Sequence, residues 1–505
     1  MKTNPKASAD RTVPVIDLFA GPGGLGEGFS SCPPVAGTRF QIALSIEMEK
    51  FAHQTLQLRA FRRQFDAPPP EYWEFLRGQR QDVDLFRLYP NEAAAAQKEA
   101  QRITLSAKTA GSVRGLVAAA LGGAKTWVLV GGPPCQAYSL VGRARNKGIA
   151  EYDADKDSRH VLYLEYLQLL AEHAPPVFVM ENVKGLLSAK YRNVRMFDRI
   201  RADLQRPADA FERTRRVVQS RRSAQYRLMS VSPDQGLFPG EDPADFLLRA
   251  EKFGVPQARH RVIIVGVRSD VDMPDLRLAR RPEQSVEAVI GDMPRVRSGV
   301  TNQDGAWKDL LRECGKRDWL KEVAPDVRRK IRTALVALKA CELDRGGEFI
   351  AGHNQECPEL GGWINHSTRA HILSDLERYL FASAFAAERF KSPTLAEFPT
   401  SLLPNHGNVD RAVASGHFSD RFRVQLSGRP SMTITSHISK DGHYYIHPDP
   451  TQCRSLTVRE AARLQTFPED YFFCGPRTAQ YHQVGNAVPP RLARQIAALI
   501  LPHLL

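Results

Sequence analysis

Two side chains with catalytic potential each follow a short apolar segment of the sequence. Cys135 follows VLVGGPP, residues 128–134, and Glu181 follows VFVM, residues 177–180. Paired prolines fix the backbone and remove two N–H donors, so the turn before Cys135 presents that side chain instead of burying it. A thiol nucleophile beside a carboxylic acid is suited to addition to a heteroaromatic ring, in which the acid protonates a ring nitrogen. The alternatives are an inert cysteine in a turn and a solvated glutamate.

A glycine-rich segment near the start of the chain has the spacing of a nucleotide-binding loop. Gly21, Gly23 and Gly26 fit the pattern G-x-G-x-x-G, and Glu47 lies at a suitable distance downstream to bind a ribose. The pattern alone does not separate a nicotinamide, a flavin and S-adenosylmethionine, and a tight turn without a ligand would use the same glycines. We predict a nucleotide-like cofactor here, and a dinucleotide oxidoreductase is one class that the pattern allows.

Arginines near these segments add positive charge. Arg259 and Arg261 alternate in QARHR, so both side chains point the same way if the segment is a strand. They suit a phosphate or a ring carbonyl, although a surface ion pair is the simpler explanation. The run ERTRRVVQSRRSAQYR, residues 212–227, holds six arginines. It suits contact with phosphates, and a solvated helix face is the alternative.

Cys135, Glu181 and the glycine loop can form one site only if the strands that precede them end at the same side of one sheet. Apolar segments predict buried strands at 13–19, 40–47, 126–131, 175–182 and 253–268. Helices are predicted between them at 50–65, 91–103 and 161–173. Strands that alternate with helices predict an α/β fold with a doubly wound, Rossmann-like sheet. In such a fold, ligands bind at the carboxyl ends of the strands.

The pattern changes in the middle of the chain and returns near its end. Residues 271–453 mix short helical pieces with loops rich in Gly, Pro and His, which predicts a second, smaller and irregular domain. A capped helix follows, with Thr457 as N-cap and Glu460 completing a capping box. The segment PPRLARQIAALILPHLL then predicts a closing helix. We assign residues 12–270, completed by 454–505, to the first domain.

The composition is that of a globular protein with an anionic partner. The chain has 505 residues, a net charge of +14 and a pI near 9.5, which favour nucleic acid as the partner. We expect no signal peptide, because the basic residues near the start are followed by no long apolar stretch, and no apolar run reaches the length of about 18 residues that spans a membrane. The seven cysteines are widely spaced without a CxxC pair, which argues against disulfides and a zinc site. We expect a reducing compartment, the cytoplasm, and no metal.

Six segments occur in an order that resembles the C5-cytosine DNA methyltransferase family. In chain order they are DLFAGPGG, GGPPCQAYS, ENVKGLL, QARHR, RSLTVREAARLQTFPEDY and QVGNAVPP. Each segment alone is a modest signal, but the six together in this order are very specific. The resemblance covers residues 12–270 and 430–505. Residues 271–429 fall where that family places its variable target-recognition domain.

The resemblance implies S-adenosylmethionine as the cofactor. It implies that Phe19 stacks on the adenine, that Glu47 holds the ribose hydroxyls and that Met48 lies beside the adenine. The other residues that the family's motifs place around the cofactor are Gly21, Gly23, Gly24, Pro134, Asn486 and Val488. The family also has an aspartate after the third strand that contacts the adenine amino group. Asp82 and Asp84 are the nearest candidates in this chain.

The resemblance also implies the chemistry. The Cys135 thiolate would attack C6 of a cytosine while Glu181 hydrogen-bonds or protonates N3, so that C5 accepts the methyl group. Arg261 would hold the ring carbonyl O2, and Arg259 would contact a nearby phosphate or the loop. Because the target base cannot be reached inside a duplex, it must be flipped out. The residues of the loop that would close over the base are Gln136, Ser139, Arg143, Arg145 and Lys147.

The predicted function is therefore a sequence-specific DNA (cytosine-5) methyltransferase in a restriction-modification or phage-defence setting. The predicted partners are double-stranded DNA and a cognate restriction or defence protein, and we expect a monomer without membrane contact. The alternatives are a tRNA-methylating relative, a catalytically silent DNA-binding relative and the oxidoreductase named above. The large variable segment favours DNA over tRNA, because the RNA branch has a compact one. The intact PPCQ and ENV segments favour catalysis.

Overall fold

The structure is a computed structural model of the chain. It describes residues 11–79, 84–134, 158–191, 194–213, 224–235, 242–301, 307–340, 343–404 and 420–505. Several residues that the sequence singles out lie outside these segments. They are Asp82, Cys135, Gln136, Ser139, Arg143, Arg145 and Lys147, together with most of the arginine run between 212 and 227. The predictions for these residues therefore remain predictions.

The strands in the described segments form one large sheet and several two-stranded pieces. In chain order they are β1 (Arg11–Leu18), β2 (Thr38–Glu47), β3 (Ala100–Arg102), β4 (Val128–Gly131), β5 (Val177–Val183), β6 (Lys190–Tyr191), β7 (Val194–Arg195), β8 (Tyr226–Met229), β9 (Leu247–Arg249), β10 (Gln257–Ala258), β11 (His260–Arg268), β12 (Gly299–Val300), β13 (Phe349–Ala351), β14 (Gly362–Ile364), β15 (Ala370–His371) and β16 (Ser431–Met432). The large sheet has the order β3-β2-β1-β4-β5-β11-β8, and β9 pairs with β11. Strands β1 to β5 pair in parallel, whereas β11 runs antiparallel to β5, β8 and β9.

Successive side chains of the central strands enter opposite faces of this sheet. In β4, Leu129 belongs to one buried cluster, whereas Val128 and Val130 belong to the other. In β5, Phe178 and Val179 divide in the same way. Both faces are apolar and need a covering layer of helices, as in doubly wound sheets. The predicted α/β fold with a Rossmann-like sheet is confirmed.

Helices cover the sheet and build the rest of the described structure. They are Gly24–Ser30, Lys50–Arg62, Pro70–Leu76, Leu85–Leu88, Pro90–Glu99, Ala110–Leu121, Ser158–His173, Gly185–Ser188, Met196–Gln205, Pro207–Arg213, Val286–Ile290, Trp307–Cys314, Trp319–Glu322, Pro325–Ala340, Leu373–Arg389, Val458–Leu464, Arg477–Asn486 and Pro490–Ile500. The predicted helix at 91–103 ends earlier, because residues 100–102 form the edge strand β3. Among the described residues, no helix is long and apolar enough to cross a membrane.

The middle of the chain contains a core of its own. Trp319, Leu335 and Phe381 belong to a buried cluster formed by residues between 300 and 453. The expectation of only short helical pieces here is wrong, since Pro325–Ala340 has 16 residues and Leu373–Arg389 has 17. The separate core is consistent with a second domain, and its exact limits stay a prediction.

The segment after residue 454 returns to the sheet. The helix Val458–Leu464 begins at Thr457, whose side chain accepts a hydrogen bond from the Glu460 N–H in a capping box, as predicted. The closing helix Pro490–Ile500 packs against the helix Gly24–Ser30 so closely that a Cβ added to Gly28 would lie 2.3 Å from the Cβ of Ala493. The two ends of the described chain therefore build one layer.

Candidate active site and cofactor cleft

Strands β4 and β5 bring the two segments with catalytic potential together. They pair in parallel register with Gly131 opposite Met180, so the next residues, Gly132 and Glu181, are neighbours. A Cβ added to Gly132 would lie 2.9 Å from Oε2 of Glu181, which places the carboxylate directly against this backbone. Glu181 therefore lies beside the turn that leads to Cys135 in the sequence.

Asn182 fixes the same turn. Its side-chain Nδ2 donates to the carbonyl of Pro133 at 3.0 Å, and its Oδ1 accepts from the Val183 N–H at 2.9 Å. The residue is 3% exposed, so these hydrogen bonds are shielded from water. The role of Asn182 was not predicted from the sequence. The available signal was its place near the end of the buried strand β5, where an amide is unusual unless it is satisfied by hydrogen bonds.

Arg261 pairs with Glu181 across the antiparallel strands β11 and β5. Its Nε lies 2.8 Å from Oε1 of Glu181, and the two side chains are 12% and 13% exposed. Burial lowers the pKa of Arg261, and the Glu181 carboxylate opposes that effect. The Nη1 of Arg261 also donates to the His260 carbonyl at 2.8 Å. The pair is mostly shielded from water and lies near the carboxyl end of β5.

Arg259 has different contacts from Arg261, although the two alternate in sequence. It is 1% exposed, and its guanidinium donates to the carbonyls of Ile434 at 2.7 Å and Gly485 at 3.3 Å. Burial lowers its pKa well below the usual range, and the nearby Arg261 charge lowers it further. Its described partners are backbone carbonyls from two distant segments. Arg259 therefore holds protein segments together, whereas the prediction placed it on a phosphate or the loop.

Glu47 ends strand β2 and receives three backbone N–H groups. Oε2 accepts from Gly21 at 2.8 Å, and Oε1 accepts from Met48 at 2.9 Å and Glu49 at 2.8 Å. An ionised carboxylate has about four acceptor positions, so about one remains for a ribose hydroxyl. Glu47 thus joins the glycine loop to β2 while keeping limited capacity for a ligand.

The surroundings of Glu47 fit an adenosine-type cofactor. Gly21 has φ +58°, and an added Cβ would meet nothing within 4 Å, so open space lies above the loop. Met48 is 54% exposed beside this space. Phe19 is half-buried and has φ 56°, a left-handed conformation that non-glycine residues seldom adopt. Pro134 is half-buried at the end of β4.

The other residues that the resemblance places around the cofactor lie at the contact between the glycine loop and the closing segment. A Cβ on Gly24 would lie 2.1 Å from the carbonyl oxygen of Val488, so these two backbones are in close contact. Gly23 has φ +98°, and its Cβ would lie 2.9 Å from the hydroxyl of Tyr471. Asn486 is exposed and lies 3.2 Å from the His482 ring. Of this group, the exposed Asn486 side chain is the one that is accessible to a ligand.

The residues that directly follow β3 include no acid that could contact an adenine amino group. Residues 103–110, which follow β3, contain no Asp or Glu. Asp84 caps the helix Leu85–Leu88 by accepting from the Arg87 N–H, well before β3. Asp82 lies outside the described residues, so its assignment remains a prediction.

Two further residues contact the glycine loop, and neither was predicted from the sequence to do so. Asp17 is fully buried, and its Oδ2 accepts from the Gly26 N–H at 3.2 Å. Burial raises the pKa of Asp17 to about 8. The Tyr471 hydroxyl donates to the Pro22 carbonyl across 449 residues of sequence. Such a distant partner has no local sequence signal.

The doubly wound sheet, with its glycine loop and the carboxylate at the end of β2, defines a Rossmann-like nucleotide-binding fold. Residues 111–206 and 246–501 match the model of the C-5 cytosine-specific DNA methylase family. The chain belongs to this family. The predicted family and the predicted enzyme class, DNA (cytosine-5-)-methyltransferase, are confirmed.

Several relatives align over most of the chain. The type II methyltransferase M.Bpa9945I of Bacillus paralicheniformis is 33% identical over 513 residues, covering 96% of this chain and 98% of its own. The type II methyltransferase M.DdeI of Desulfomicrobium norvegicum is 24% identical and covers 96% of this chain and 88% of its own. The DNA (cytosine-5-)-methyltransferase M.ApeKI of Aeropyrum pernix is 27% identical, with 75% and 81% covered.

Proposed function

We propose that this chain methylates C5 of a flipped cytosine in duplex DNA through a covalent adduct between Cys135 and C6. The observation that carries the proposal is the Arg261–Glu181 pair at 2.8 Å, held beside the turn that precedes Cys135 in sequence. Glu181 hydrogen-bonds or protonates cytosine N3, which makes C6 open to attack by the Cys135 thiolate. Arg261 holds the ring carbonyl O2 and keeps the Glu181 carboxylate in place.

The proposed reaction forms a covalent adduct at C6 and then restores the cytosine ring. The Cys135 thiolate adds to C6 while N3 gains a hydrogen bond or a proton at Glu181, so C5 becomes electron-rich. When C5 takes the methyl group, the S–C bond of the sulfonium would break and a neutral thioether would leave. A base then removes the C5 proton, and Glu181 takes back the proton that N3 received. The electron pair of that C–H bond expels the thiolate, and aromaticity returns. Exclusion of water by a closed loop protects the adduct, which is the role proposed for residues 136–160.

S-Adenosylmethionine is the proposed cofactor, and it supplies an electrophilic methyl group on a sulfonium. The residues that fit it are Glu47, for a ribose hydroxyl, with Phe19 and Met48 beside the adenine. The open space at Gly21 supports this assignment, because a side chain there would fill the loop. Asn486 completes the cleft from the closing segment.

We further propose that residues 271–453 select the DNA sequence and that the enzyme belongs to a type II restriction-modification or phage-defence system in the cytoplasm. The setting rests on the type II relatives, foremost M.Bpa9945I at 33% identity. The net charge of +14 suits a polyanionic duplex. Base readout requires a few side chains at groove edges, which a separate core between 300 and 453 can present.

The test begins with methylation-sensitive sequencing of DNA from cells that express the chain, which maps the recognised site. A duplex with 5-fluorocytosine at the target is then incubated with enzyme and cofactor. Fluorine cannot leave as a cation, so we expect a denaturation-resistant protein–DNA adduct through Cys135. The adduct should require S-adenosylmethionine and be absent from Cys135→Ser, which should still bind the cofactor.

Methyl transfer to ordinary duplex DNA without an adduct on the fluorinated duplex would refute the covalent step. Faster methylation of an equal load of tRNA would refute the DNA assignment. Absence of methylation by a folded protein that still binds DNA would return the chain to the class of silent DNA-binding relatives.

A further inference from the structure

We propose that Tyr471 is a positioning residue for the glycine loop, residues 21–26, and that residues 458–471 couple this loop to the variable region, residues 271–429. The inference deepens the proposed function and rests on S-adenosylmethionine binding beside Gly21. It concerns the FPEDY segment, residues 467–471, which lies after the variable region in sequence and touches the glycine loop in space.

The first contact is direct. The Tyr471 hydroxyl donates to the carbonyl of Pro22, between Gly21 and Gly23, which both have positive φ angles. Tyr471 is 1% exposed, so water does not replace this hydrogen bond. A Cβ on Gly23 would lie 2.9 Å from the same hydroxyl, which shows how closely the phenol follows the loop. The loop conformation that fits the cofactor therefore depends on Tyr471.

The second contact runs through Arg59. Its guanidinium lies over the Tyr471 ring at 5.0 Å and binds the Asp470 carboxylate at 2.8 Å. The same guanidinium holds Glu27 of the helix after the glycine loop, with Nε and Nη2 at 2.9 and 2.7 Å from its two oxygens. Loop and helix are thus both tied to the pair formed by Asp470 and Tyr471.

Residues 458–471 also contact the hairpin of β13 and β14, which belongs to the variable region. Arg459 is fully buried and donates to the Ile364 carbonyl at 3.0 Å and to the Tyr471 carbonyl at 2.6 Å. Glu469 accepts from the side-chain amide of Asn354 at 2.9 Å. One continuous set of buried hydrogen bonds therefore runs from the hairpin to the Pro22 carbonyl.

This arrangement has a thermodynamic consequence. If DNA binding changes the position of the hairpin, the change reaches Tyr471 and alters the loop, and the effect is reciprocal because coupling free energies between two sites are equal in both directions. Arg459 and Glu469 carry the coupling, whereas Tyr471 sets the affinity of the loop for the cofactor.

The test compares Tyr471→Phe with Tyr481→Phe, a matched control whose hydroxyl donates to the Leu456 carbonyl at 2.6 Å in an equally buried place. Calorimetry measures the dissociation constant of S-adenosylmethionine. We expect Tyr471→Phe to weaken binding about three- to tenfold, the size of one buried hydrogen bond. It should raise KM for the cofactor with kcat within about twofold, and Tyr481→Phe should match the wild type.

An unchanged dissociation constant in folded Tyr471→Phe overturns the positioning role. A wild type that neither binds the cofactor nor methylates DNA refutes the proposed function itself, which is a separate outcome. Thermal melting of both variants identifies a misfolded protein. If Tyr471→Phe is misfolded, the coupling between DNA and cofactor binding, measured with Asn354→Ala, decides the proposal.

The coupling is measured as the ratio of cofactor dissociation constants without and with a duplex that carries the mapped site. Asn354→Ala removes the hydrogen bond to Glu469. We expect the ratio of dissociation constants in this variant to differ from one by a factor at least threefold smaller than in the wild type. Thr333→Ala, on an exposed helix face of the variable region, should keep the wild-type ratio. A ratio of one in the wild type, or a wild-type ratio in Asn354→Ala, overturns the coupling.

Discussion

Replacement of Gly132 by alanine separates the geometry of the catalytic acid from the stability of the fold. The added Cβ would lie 2.9 Å from Oε2 of Glu181, whereas ordinary contacts begin near 3.4 Å, so the carboxylate must retreat by 0.5 Å. Gly132 is not among the glycines with positive φ, so alanine meets no backbone strain. The carboxylate is the far end of a side chain, and its retreat costs little folding energy.

The displacement of the Glu181 carboxylate should lower the rate of methyl transfer. Glu181 is bound to Arg261 at 2.8 Å, so a displaced carboxylate takes its partner out of place as well. A misplacement of about 1 Å costs roughly a hundredfold in rate, so 0.5 Å corresponds to about tenfold. We expect Gly132→Ala to lower kcat by about tenfold, with KM for the cofactor within twofold and an almost unchanged melting temperature.

Single-turnover methylation of the mapped duplex measures the effect, since it reports the chemical step. Gly115→Ala is the control, because its Cβ meets nothing within 4 Å and alanine favours the helix in which it lies. It should keep full activity and gain up to about 1 kcal/mol of stability. A normal single-turnover rate for Gly132→Ala would show that the position of Glu181 is not critical.

Three further predictions concern the glycine helix, a buried acid and the variable region. Gly28→Ala should destabilise the fold by about 1–3 kcal/mol through overpacking against Ala493, seen as a lower denaturation midpoint, and an unchanged midpoint would contradict the close packing. Asp17 has a pKa raised by burial to about 8, so wild-type stability should fall as pH rises from about 4 to 8, because the unfolded state releases this proton first. Asp17→Asn should remove this part of the pH dependence in urea unfolding, and equal slopes for both proteins would refute it. Replacing residues 271–453 with the matching segment of a relative should change the methylated sequence, and survival of the original site would place readout elsewhere.

The sequence predicted β1, β2, β4, β5 and β11 of the large sheet, because buried strands are continuous apolar runs such as VLVG and VFVM. The strands β3, β8 and β9 were not predicted. It also predicted the capped helix at Thr457, because capping depends on residues three apart. The hydrogen bond from Asn182 to Pro133 and the burial of Arg259 could not be predicted, since their partners are set by strand order and by distant segments. The edge strand β3 was missed because AQR has no strand pattern of its own.

The link between Tyr471 and Pro22 also bears on how the protein is made. These residues are 449 apart in sequence, and Thr55 and Gln483, which share a hydrogen bond, are 428 apart. A ribosome adds about 5–20 residues each second, so the glycine loop waits roughly 20–90 s for its partner. Folding that depends on such distant contacts is slow. Until the closing helix has been synthesised, the apolar face that it covers is exposed, so we expect nascent chains to need chaperones.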